Sequence, residues 1–478
     1  MDLESRVNCV QVGLLKHPYG GNIGMGKRQP NIINQNYVDL GSGTRWLLRG
    51  IVWVLKVVYS SAVPIAIITI LSIVRAEQWN LSEYLWLSWA VCEMGCFIRW
   101  KQMLLGPSVR KPCTVALNDQ VSNVKHALSH IDNIDEVLSY WMLKRPKTAL
   151  SIGHFKDWIV NLFLDKDPKL MTPEEKSVAQ QIFPLFDARL PKTSSPAQPL
   201  KKKLFMNPST DDLPCHYKPM VVTLYLAALR LIAASVLRML GFKRFVTKQQ
   251  SYWLLQGSNT EPAIMYVHGI GIGFFMYLPK IWEIVSRHPG RSVILLDQPH
   301  ISMAPAETIL DRNHTLAALD AILIRHAVAK ISIIAHSYGT IVASWITQLR
   351  PHYLAQLVLV DPVCFRMWDA TLAKNFLYAE PISLLHEIMR FFVSQDPMIS
   401  RTVGRELYWY ESMLYPERIT VPSTIFLSTQ DWLVSPTSTK AYLEKRLPCH
   451  ANLVLFDTFH GGSLFNKGYY TQVSQCIN

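Results

Sequence analysis

The stretch Ile331–Thr340, ISIIAHSYGT, constrains this chain more than any other. Ile331, Ile333 and Ile334 make an apolar, β-branched run that reads as a fully buried parallel strand. The run breaks off at a small residue, a histidine, a serine, a tyrosine and a glycine, which predicts a strand, a tight turn and the start of a helix. Such a turn takes only small residues two places before and two places after the serine, because a larger side chain would strike neighbouring backbone. Those places hold Ala335 and Gly339. A serine there presents its hydroxyl above the sheet edge, beside a helix N-terminus that stabilises negative charge. The chemistry indicated is that of a nucleophile; the plainer reading is a strand–turn–helix with a capping serine.

The surroundings bear on that choice. Beyond Phe245, short apolar runs alternate with amphipathic stretches: Tyr252–Leu255, Ala263–Val267, Val293–Leu296, Ile331–Ile334, Leu357–Val360, Thr424–Leu427 and Asn452–Phe456 read as strands. Alternation of this kind predicts a parallel α/β sheet with ligands at the carboxyl ends of its strands. A glycine-rich loop, His268-Gly269-Ile270-Gly271-Ile272-Gly273, follows the second of these runs. Its H-G-x-G-x-G spacing differs from the G-x-G-x-x-G of dinucleotide loops, and no acidic residue follows at the required strand end. Serine needs an imidazole base, itself held by a carboxylate. His460 follows the last predicted strand in NLVLFDTFHGG, and Asp431 follows the preceding one in STIFLSTQDWLVSP.

The serine turn resembles the G-x-S-x-G nucleophile elbow of α/β-hydrolases, with Ala335 replacing the first glycine, and the chain order Ser337, Asp431, His460 is similar to that of the superfamily. The resemblance covers roughly Phe245 to the C-terminus. It implies an α/β-hydrolase fold with a helical cap at about 362–422. Ser337 would attack, His460 would transfer the proton and Asp431, in an Asp-x-x-Val acid loop, would orient the imidazole. Backbone N–H groups of Ile270 and Tyr338 would form the oxyanion hole. Asp361, ending LVLVD, is the alternative acid. Asp457 reads as a loop acceptor, Asp297 as a residue ordering the adjacent loop, and His268 and His336 as structural. The cap is rich in aromatic residues, among them Trp368, Phe391, Phe392 and Trp409, which fits an apolar pocket or plain packing equally. Epoxide and haloalkane hydrolysis are disfavoured because serine stands where aspartate is usual. No metal or cofactor is required.

Composition places this half of the chain in context. Hydrophobic residues make up 49% and charged residues 17%, with a net charge of +13, which points to a membrane-associated enzyme with anionic lipids as partners. No arrangement of basic and aromatic residues resembles a nucleic-acid module. The eight cysteines lack zinc or redox spacing. We expect a polar tail at 1–43, a membrane anchor of one or two apolar helices at 44–100, and a helical segment with linker at 101–215. An amphipathic or membrane-surface helix at 216–244 then leads into the catalytic domain at 245–478. Val57–Val74 carries no charge and would cover about 27 Å as a helix. Tyr84–Ile98 is interrupted by Glu93, so it crosses the membrane or lies in its interface. Basic residues flank this pair of segments on both outer sides, which puts both ends, and the catalytic domain, in the cytosol. The anchor, the helical segment and the CHYKP stretch before Met220 resemble, more loosely, the extensions of membrane-tethered hydrolases from fungi. The function expected is hydrolysis of an ester or thioester of an apolar, lipid-like substrate. An acyltransferase with the same triad, or a catalytically silent membrane scaffold on the same fold, is the alternative. Oligomeric state is not legible.

Overall fold

The computed structural model describes residues 12–13, 42–75, 79–105, 117–143, 151–164, 166–187, 204–258, 260–306, 308–381 and 383–477. Most of the expected polar tail and of the linker after Pro191 lies outside the described residues.

One sheet organises the chain. Its strands are β1 (Val12–Gly13), β2 (Lys243–Thr247), β3 (Gln250–Leu255), β4 (Ala263–Val267), β5 (Val293–Leu296), β6 (Ile331–His336), β7 (Leu354–Val360), β8 (Ser423–Gln430) and β9 (Ala451–Phe459). They lie in the order β1-β9-β8-β7-β6-β4-β5-β3-β2. Pairing is parallel from β1 through β5, while β3 runs antiparallel to both β5 and β2. Every residue of β4, β5 and β6 is buried, as expected of central strands covered on both faces. From β4 the chain crosses first to β5 on one side and then to β6 on the other, so the order reverses between β4 and β6. Such a reversal opens a crevice at the carboxyl ends of the two strands. Val267 pairs with Ala335, so β4 and β6 end side by side, and the glycine-rich loop and the serine turn leave the sheet together. This is the α/β-hydrolase fold, carrying a helical N-terminal region.

The sheet begins earlier than the apolar pattern implies. Lys243 and Arg244 read as the end of a helix, but the helix Met220–Met239 stops where Gly241 takes φ +91 and the Gly241 and Phe242 amides close on Arg238 and Leu237. KRFVT then forms the edge strand β2, where exposed cations discourage pairing with another chain.

Two helices, Ser42–Val74 and Leu81–Leu105, pack against each other as a hairpin. Asn80 and Glu83 cap the second reciprocally: Glu83 N–H donates to Asn80 Oδ1 at 3.1 Å and Asn80 N–H to Glu83 Oε2 at 2.7 Å. Arg49–Val74 and Met220–Met239 are long and apolar enough to cross a membrane, and most of both faces outward. Glu93, which interrupts the second hairpin helix, is buried and accepts from Tyr217 Oη at 2.7 Å and from Met220 N–H at 3.1 Å. It therefore caps the N-terminus of Met220–Met239 from another helix, where Pro219 has no side chain able to do so.

The helical segment packs on the cap. It comprises Leu117–His130, Ile134–Trp141, Ile152–Ile159 and Pro173–Ile182. The last starts with a capping box between Thr172 and Glu175 and proline at its first position. Val124, Leu128, Phe155, Trp158 and Ile159 are buried, and two indoles fasten the segment across: Trp141 Nε1 donates to Trp368 O and Trp409 Nε1 to Leu162 O, both at 2.7 Å. Between β7 and β8 the cap is a series of short helices with π-helical turns at Lys374–Tyr378, Met389–Ser394 and Thr402–Glu406. Its aromatics largely serve packing. Trp368 is buried against Tyr415 and Tyr442, while Phe391 and Phe392 lie 5.0 and 5.6 Å from the Tyr59 ring of the first hairpin helix.

Candidate active site

Ser337 is the first residue beyond β6 and has φ +51, a left-handed conformation that costs an L-residue about 1–3 kcal/mol. The turn is held by Ser337 N–H donating to Val360 O, and by the Thr340 amide and hydroxyl donating to Ser337 O. Gly339 faces β4 so closely that a Cβ would lie 2.3 Å from Val267 O. Gly269 is pressed against the serine turn itself, since a Cβ there would lie 2.8 Å from Ser337 Cβ. The glycine loop is thus fixed beside the serine. Among the described residues, the amides of Ile270, in this loop, and of Tyr338, next to the serine, donate to no protein acceptor.

His460 is the first residue beyond β9 and meets the serine above the carboxyl ends of the strands. Its Nε2 lies 2.8 Å from Ser337 Oγ and its Nδ1 lies 2.6 Å from Asp431 Oδ2. A carboxylate oxygen only accepts, so Nδ1 carries a hydrogen, and whenever the ring is neutral Nε2 turns a lone pair toward the serine. Asp431 is fixed by its other oxygen, which accepts from Leu433 N–H at 2.7 Å and Val434 N–H at 3.1 Å. This is the structural content of the Asp-x-x-Val pattern: the carboxylate closes its own turn with one oxygen and faces the imidazole with the other. Both side chains are nearly buried, at 9% for His460 and 3% for Asp431. Burial alone would lower the pKa of His460, but the charge and hydrogen bond of Asp431, with Asp361 adding to them, carry it up to about 9.

Asp361 takes a different place. It is buried, with φ +47, and does not hydrogen-bond His460. Its Oδ1 accepts from Ser428 N–H at 3.2 Å and Ser428 Oγ at 2.6 Å, and its Oδ2 from Gly461 N–H at 2.7 Å, 3.6 Å from His336 Nε2. Burial works against its charge, yet His336, His460 and Ser428 hold the carboxyl below the usual carboxylate range. One carboxylate therefore touches residues near each of the three candidate site residues: His336 next to Ser337, Ser428 on the strand leading to Asp431, and Gly461 next to His460.

A second relay runs behind the glycine loop. Gly269 N–H donates to Tyr277 Oη, which lies 2.9 Å from His336 Nδ1. His268 accepts from Gln298 N–H at Nε2 and donates from Nδ1 to Gly269 O. Asp297 accepts from Ser251 Oγ, and Asp457 from Thr429 Oγ1 and Gln430 Nε2. His300, which sequence reasoning passed over, is buried 6.1 Å from the Tyr338 ring, with neither ring nitrogen paired among the described residues. Burial and His268 push its pKa down to about 3, so it stays neutral.

No family model matches the chain, and no curated protein does. Solved structures align over about half of it. A serine hydrolase from the polyaromatic hydrocarbon-degrading bacterium Cycloclasticus zankles is 14% identical, with 49% of this chain and 96% of that one covered and a TM-score of 0.37. Naproxen esterase from Bacillus subtilis is 13% identical, over 53% and 97%, with a TM-score of 0.39. A thioesterase domain from the curacin biosynthetic pathway is 15% identical, over 50% and 98%, with a TM-score of 0.33. What this chain has in common with these hydrolases and esterases is structural similarity to the α/β-hydrolase fold across about half its length.

Proposed function

We propose that this chain is a membrane-associated serine hydrolase that cleaves an ester or thioester of an apolar, lipid-like substrate. The observation that carries the reading is the continuous relay from Ser337 Oγ through His460 to Asp431, at 2.8 and 2.6 Å, on a serine held at positive φ. His460 takes the hydroxyl proton as Ser337 attacks the carbonyl carbon, and Asp431 stabilises the imidazolium. The unengaged amides of Ile270 and Tyr338 receive the developing oxyanion. His460 then returns the proton to the leaving alcohol or thiol, and water, activated by the same imidazole, releases the acid from the acyl-enzyme. The outward apolar faces of Arg49–Val74 and Met220–Met239, with the net positive charge, support attachment to an anionic membrane and delivery of a lipid substrate.

Fluorophosphonate labelling of the detergent-solubilised full chain tests this directly. Wild type is expected to label and Ser337→Ala to remain unlabelled. A wild type that fails to react beside a reactive control hydrolase points to a binding scaffold instead. Comparing lipid extracts of cells with and without active enzyme identifies the acyl donor, and added alcohols separate hydrolysis from acyl transfer.

A further inference from the structure

We propose that His126, His130 and Glu417 bind a divalent transition-metal ion, best matched by zinc, which clamps the N-terminal helical segment to the base of the cap. His126 and His130 lie one turn apart on the helix Leu117–His130 and so project from one face. Their Nε2 atoms approach the same oxygen, Glu417 Oε1, at 3.1 and 3.2 Å, and the three ligand atoms all lie within 4.8 Å of one another. Zinc bonded to imidazole and carboxylate at about 2.0–2.1 Å sets neighbouring ligand atoms of a tetrahedron roughly 3.3 Å apart. The two nitrogen–oxygen spacings therefore suit a shared ion.

Two details separate this arrangement from an ordinary histidine–carboxylate contact. His126 Nε2 is closed off from solvent and makes no hydrogen bond among the described residues, although Oε1 is 3.1 Å away. The ring is close to the oxygen without making a hydrogen bond to it, which leaves Nε2 available as a ligand atom. His130 Nδ1, for its part, lies 3.0 Å from Tyr442 Oη. That partner fixes the ring's orientation and leaves Nε2 to the ligand set, as outer-shell groups do for metal-bound imidazoles. Side-chain exposures of 42% for His126 and 44% for Glu417 leave an entry path. Two imidazoles and one carboxylate favour zinc over the oxygen-seeking magnesium and calcium. The set contains no cysteine, so the cysteine spacing that argued against a metal could not reveal it.

The test uses the full chain in detergent, stripped with EDTA, reloaded with zinc chloride and desalted. Wild type is expected to retain about one zinc per chain and to melt at a higher temperature than the stripped protein. His126→Gln and Glu417→Gln should lose the zinc, and Tyr442→Phe should weaken it about 10- to 100-fold in competition with a chelating indicator. Circular dichroism shows whether each variant is folded. Should a variant unfold, zinc-edge absorption spectroscopy on wild type decides alone, with two imidazoles and an oxygen at about 2.0–2.1 Å expected. Failure of wild type to retain zinc, equal retention by folded His126→Gln, or a sulfur-containing first shell would overturn the site and leave a histidine–carboxylate cluster only. None of these readouts depends on hydrolysis, so the proposal stands or falls separately from the catalytic one.

Discussion

In the proposed mechanism His460 sets the reactivity of Ser337, because only the neutral imidazole can accept the serine proton. With its pKa held up to about 9, the base is protonated at neutral pH. Labelling by a fluorophosphonate should therefore speed up with rising pH, about tenfold per unit, and level off above the midpoint. Asp431→Asn should slow the reaction by about 10³–10⁴-fold and move the midpoint down toward that of free imidazole; rate–pH profiles of the two proteins check both statements. Asp361→Asn should behave differently. It turns a donor toward Gly461 N–H and leaves that buried amide unpaired, at a cost of about 1–3 kcal/mol in denaturant unfolding. Its labelling rate should fall less than that of Asp431→Asn. Ser337, Asp431 and His460 were legible in the sequence because each directly follows a strand-like run. The place of Asp361 was not, since its contacts come from three separate stretches of chain: His336 at the end of β6, Ser428 in β8 and Gly461 just after β9. Position after a strand marked it as a possible acid, and only geometry could show what it touches.

Among the elements, the turn after β6 tolerates little change. Gly339→Ala would drive a methyl group into Val267 O and should cost about 1–3 kcal/mol or more, with labelling lost along with stability; thermal melting and labelling of one preparation measure both. Glu93→Ala would strip the Met220 amide and the Tyr217 hydroxyl of a buried acceptor. We expect destabilisation of about 1–3 kcal/mol and faster proteolysis within CHYKP. The central strands could be read from apolar runs because both of their faces are covered. β2 could not: an exposed edge strand rich in cations has no apolar signature, and its boundary is set by the left-handed turn at Gly241. The π-helical turns of the cap were equally hidden, as nothing in their periodicity separates them from α-helix.

The molecule as a whole joins its three regions through the cap. Trp141 and Trp409 hold it to the helical segment, while Lys56 pairs with Glu387 and Tyr59 packs on Phe391 and Phe392 from the hairpin. Deleting 42–105 would uncover those phenylalanines together with the Met220 amide. The truncated protein is expected to aggregate rather than yield a free catalytic domain, as size-exclusion chromatography would show. The grip of Glu93 also bears on how deep the second hairpin helix can sit. Glu93 lies midway along Leu81–Leu105, about 18 Å of helical rise from either end. Were that helix centred in a bilayer, the irregular backbone of CHYKP and the Lys218–Asp396 pair would be drawn to the oiliest plane, where an ion pair is costly. If the chain is membrane-attached as proposed, the second helix would then ride shallow, at the level of the headgroups, and the strand that begins just past Met239 would hang close to the lipid surface.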